Sequence, residues 1–71
     1  MITDLARAQA VKSVVQTTAL RCGLTPAVQR EVIRYAVAKL ARGATAHRAI
    51  KAGQLYARVR AGDAVYPKGV A

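Results

Sequence analysis

Two glycines, Gly23 and Gly43, divide the chain into three stretches whose apolar residues recur every three or four positions. That spacing lines one side of a helix. A glycine placed after the last periodic residue readily takes the left-handed conformation that ends one. The sequence therefore predicts an all-α fold, with helices over about 3–22, 26–42 and 45–61 in a helical domain of residues 1–62. An extended C-terminal tail or arm follows over 63–71, where Tyr66 precedes Pro67 and is held to extended backbone.

Each stretch has its own face. In the first, Leu5, Ala8, Val11, Val15, Ala19 and Cys22 share one side, and Asp4 stands in the first turn, where an anion favours the helix dipole. In the second, Thr25 is suited to cap the N-terminus and Pro26 to the first helical position. Val28, Val32, Ile33, Tyr35, Ala36, Val37 and Leu40 make a broad apolar sector, opposed by Arg30, Arg34, Ala38, Ala41 and Arg42, with Glu31 at the edge. In the third, Ala46, Ile50, Gly53, Ala57 and Ala61 form a stripe of mostly small residues beside a polar stripe of His47, Lys51, Gln54 and Arg58. Leu55, Tyr56 and Val59 occupy much of the far side, giving this helix two apolar surfaces.

The material for a core is slight. A chain of 71 residues forms one domain and buries only about 60% of the surface its unfolded form exposes. Its apolar fraction of 54% includes sixteen alanines and no Phe or Trp. Burying a Val, Leu or Ile contributes about 1.5–3 kcal/mol, against about 1.5 kcal/mol for ordering each residue. The balance predicts help from self-association or a partner, and the stripe Ala46, Ile50, Gly53, Ala57 and Ala61 is the expected contact between copies of a homo-oligomer.

Twelve Lys and Arg against three acids give a net charge of +9, and the basic residues run from Arg7 to Lys68 without forming a separate tail. So large an excess in so short a chain is destabilising by self-repulsion unless an anion is near. A polyanionic partner is expected: nucleic acid, or another acidic surface.

Several function classes find no support in the residues. The longest uncharged runs are eight residues, such as Ser13 to Leu20, too short to span a membrane, and no secretory signal pattern is visible. A single cysteine, Cys22, excludes an internal disulfide framework and fits a reducing compartment. His47 stands without a Cys or carboxylate at ligand spacing, so no metal site is expected. Asp4, Glu31 and Asp63 are too scattered for acid/base chemistry, and no glycine-rich phosphate loop occurs. The expectation is a protein that is not an enzyme, has no cofactor and takes no small-molecule substrate.

The stretch "ALRCGLTPAVQREVIR" resembles a helix-turn-helix. In that motif a short glycine-containing turn joins two helices, and the N-terminal residues of the second meet the bases in the major groove. Gly23 would make the turn, Leu24 would plug the core and Thr25 would cap the second helix. The resemblance makes Gln29 and Arg30 candidate base readers and sets Arg34 and Arg42 nearer phosphates. It departs from the pattern at Gln29, where such motifs usually carry an aliphatic residue; Val28 falls one position early. With Lys51 and Arg58 on the third helix, these residues form the expected nucleic-acid surface.

The primary expectation is a self-associating basic protein that contacts nucleic acid through phosphates. Two alternatives fit the same residues: a structural subunit of a phage particle, pilus or secretion assembly, and a small adaptor or inhibitor that binds an acidic protein surface. The corresponding locations are the cytoplasm of a bacterium or the interior of a phage particle.

Overall fold

The computed structural model describes residues 4–62. They form three helices: α1, Asp4–Arg21; α2, Pro26–Ala41; and α3, Ala46–Arg60. Each boundary lies within a residue or so of the one read from the sequence. The proposed tail, 63–71, lies outside the described residues.

One turn is built twice. After α1, Gly23 at φ +73° donates its N–H to the Leu20 carbonyl at 3.0 Å, and Leu24 donates to Ala19 at 3.2 Å. After α2, Gly43 at φ +100° donates to Leu40 at 3.0 Å, and Ala44 to Lys39 at 3.1 Å. This paired arrangement satisfies carbonyls that the end of a helix leaves without partners. Two residues beyond each glycine stands a threonine. The Thr25 hydroxyl accepts from the Val28 N–H at 3.4 Å, and that of Thr45 accepts from the Arg48 N–H at 3.1 Å. Gly-Leu-Thr and Gly-Ala-Thr thus each stop one helix and start the next, a local repeat that hydrophobic periodicity does not reveal.

The two tight turns fold the chain up, down and up. α2 and α3 run in opposite directions, with Ala36 beside Gly53, Tyr35 beside Tyr56 and Glu31 beside Arg60. Each helix packs on the other two. The fully buried side chains are Val11, Val15 and Ala19 from α1, Val32 and Ala36 from α2, and Ala49 and Ala57 from α3. Three valines are the largest of them, so the interior gains its stability from close helix approach more than from bulk. Gly53 marks the closest point. A Cβ placed there would lie 2.8 Å from the Ala36 Cβ and 2.8 Å from Val15 Cγ2.

This packing corrects two expectations. Gly53 and Ala57 are buried inside the domain, with Ala46 and Ile50 packed against the same core and Ala61 half-buried. Gly53 and Ala57, at the centre of the small-residue stripe, therefore serve contacts within one chain. The second apolar surface of α3 has a related explanation: a helix wedged between two others needs a wide apolar sector, and Tyr56 is held by α2. On α1, Leu5 is 70% exposed, not part of the buried face. α1 is the longest helix, and its first turn extends past the packing that encloses Val11.

Candidate nucleic-acid interface

The cationic side chains follow from this packing. Val32 and Ala36 direct one side of α2 inward, and Arg30 and Arg34, a turn apart, stand exposed on the opposite side. Arg42 follows as the exposed C-cap of α2, with its backbone N–H shared between the Ala38 and Lys39 carbonyls at 3.1 and 3.2 Å. A cation there also meets the negative end of the helix dipole. On α3, burial of Ala49, Gly53 and Ala57 turns Lys51 and Arg58 outward, and Arg48 is exposed as well. The expected cations are all on the surface, but those of α2 and those of α3 project from different helices and do not converge on one point.

A side-chain contact ties α1 to α3. Gln54 donates from Nε2 to the Thr18 hydroxyl at 3.1 Å, fixing the register of α1 against α3. Arg21 lies one turn beyond Thr18, and Arg58 one turn beyond Gln54. Each arginine thus follows a residue of this contact on its own helix. Periodicity within a helix carries no information about such contacts between helices. At the other end of the bundle, Arg7 and Ala8 face Val37, Leu40 and Ala41 across an open groove of about 320 Å³.

The α2–α3 seam is different in kind. Glu31 accepts from the Tyr56 hydroxyl at 2.9 Å on one carboxylate oxygen and from Arg60 Nη1 at 2.7 Å on the other. Hydrogen bonding to Tyr56 and the charge of Glu31 hold the Arg60 pKa above its ordinary value. The Tyr35 and Tyr56 rings meet edge to face, with centroids 4.5 Å apart, and Lys39 Nζ stands 5.4 Å over the Tyr35 ring. Arg60 and Lys39 are thus occupied within the chain. By contrast, Arg21, Arg30, Arg34, Arg42, Arg48, Lys51 and Arg58 are exposed and make no ion pair with any described residue.

Gln29 requires a correction. Its side chain is half-buried and donates from Nε2 to the Leu24 carbonyl at 2.8 Å. It occupies the inward position where a helix-turn-helix usually carries an aliphatic residue, and its amide satisfies the turn. Turned inward in this way, it does not present itself to a base. Arg30, the next residue, does face solvent. Cys22 is half-buried against the core.

Among the described residues, no group of three or more His, Cys, Asp or Glu side chains comes together to hold a metal ion, and no helix is long and apolar enough to cross a membrane. No family model, curated protein or solved structure matches the chain.

Proposed function

We propose that this protein binds nucleic acid through the phosphate backbone, without reading base sequence. The observation that carries the reading is the contrast between occupied and unoccupied cations. Glu31 engages Arg60, while the outward arginines of α2 and the cations of α3 have no described acidic partner. Side chains of this type gain charge-assisted hydrogen bonds from phosphate oxygens and release the counterions condensed on the nucleic acid. Arg30, Arg34, Arg42, Lys51 and Arg58 are the proposed phosphate contacts. Inward rotation of Gln29 favours backbone binding over base reading.

The test is a quadruple substitution, Arg30→Ala, Arg34→Ala, Lys51→Ala and Arg58→Ala, read as duplex affinity against salt. Loss of binding with the helical fold retained supports the reading. Undiminished affinity removes these residues from the interface.

A second reading, a self-associating subunit of a larger assembly, draws on a separate observation. α1 exposes Leu5 (70%), Leu20 (59%) and Val14 (40%) although the interior is short of large apolar side chains. A Leu5→Gln, Leu20→Gln variant checks it by sedimentation. Conversion of an oligomer to a monomer supports association through α1, and an unchanged sedimentation profile rejects it.

A further inference from the structure

We infer that a single copy of this protein carries two separate phosphate-binding faces and bridges two nucleic-acid duplexes. The inference rests on the proposed function and goes beyond it by assigning an activity, bridging, that phosphate binding alone does not require.

α2 and α3 touch through their inner faces, with Ala36 against Gly53. Arg30 and Arg34 lie on the far side of α2 from Val32 and Ala36, and Lys51 and Arg58 lie on the far side of α3 from Ala49 and Gly53. The two pairs therefore project from different sides of the three-helix body. A helix with its side chains is about 10–12 Å across, so two packed helices hold their outward groups roughly 20 Å apart. A straight duplex is stiff over far longer distances and cannot wrap a body of this size to reach both pairs. Along the α2–α3 seam Glu31 takes up Arg60 and Tyr35 takes up Lys39, so the seam does not join the two faces. One duplex occupies one face, and the other face remains open to a second.

The experiment uses two short duplexes of unrelated sequence, one immobilised and one labelled, with the full chain added at a concentration where sedimentation shows a monomer. Wild-type protein is expected to retain the labelled duplex on the immobilised one. Arg30→Ala with Arg34→Ala, and separately Lys51→Ala with Arg58→Ala, should each abolish this retention while still binding a single duplex. Each variant should bind its single duplex with the salt slope of the face it retains, about 0.9 per phosphate contact on that face. Circular dichroism on each variant confirms that the helices persist. Binding of one duplex without retention of the second overturns the inference and leaves the proposed function standing. Retention that survives in either double variant also overturns it, since bridging would then not need both faces. Failure of the wild type to bind even one duplex overturns the proposed function itself, and bridging with it.

Discussion

Gly53 and Ala36 meet so closely that a Cβ on the glycine would lie 2.8 Å from the alanine's own Cβ. This contact draws α2 and α3 together, and Val15 of α1 closes the same space, its methyls lying 2.8 and 3.1 Å from where that added Cβ would stand. In an open helix position, Gly→Ala would stabilise by about 1 kcal/mol. Here the added methyl has no room, and overpacking of this kind costs about 1–3 kcal/mol. Gly53→Ala is therefore expected to lower stability in a urea titration, and a rise would show that the three helices are not in close contact.

Gly43 is a glycine for the opposite reason. A Cβ there would meet nothing within 4 Å, but φ is +100°. Gly43→Ala should cost about 1–2 kcal/mol through backbone strain alone. Its effect on thermal unfolding should not change when neighbouring side chains are trimmed, whereas that of Gly53→Ala should shrink in a Val15→Ala background. Equal behaviour of the two would contradict this distinction.

Gln29 tests the turn against the groove of DNA. Its hydrogen bond to the Leu24 carbonyl should contribute about 1 kcal/mol, so Gln29→Ala is expected to lose roughly that much in denaturant unfolding while duplex affinity stays the same on every sequence. A change in sequence preference without a change in stability would restore Gln29 as a base reader.

Glu31 holds two partners on an exposed surface, Tyr56 and Arg60. Glu31→Gln should lower the unfolding midpoint slightly at low salt, with the difference from wild type fading as salt screens the pair. Freed from Glu31, Arg60 should also strengthen duplex binding at low salt. Weaker binding by this variant would mean that the Glu31 network orders the interface and does not merely neutralise one cation.

Much of the fold was legible in the residues, for identifiable reasons. Gly23, Thr25 and Gly43 act locally, so their effect on helix ends could be read without knowing the tertiary structure. The division of α2 into Val32 and Ala36 on one side and Arg30 and Arg34 on the other was equally plain, because one helix has one period. What periodicity cannot supply is the identity of the neighbour. The stripe through Gly53 and Ala57 was correctly a close-contact surface, but its partners are Val15 and Ala36 of the same chain. Gln29 was assigned by its place in a motif, yet its position near the inward side of α2 turned the amide toward Leu24. The Thr18–Gln54 bond joins residues from α1 and α3, a contact that exists only once the helices are assembled.

The central claim is that the outward cations are held for phosphate, and the affinity of the wild-type chain for a short duplex across a range of salt concentrations tests it most directly. Log affinity is expected to fall in a straight line with log salt, at about 0.9 per phosphate contact and several contacts in all, with the same slope on duplexes of unrelated sequence. Affinity that does not respond to salt, or no binding at low salt, would contradict it.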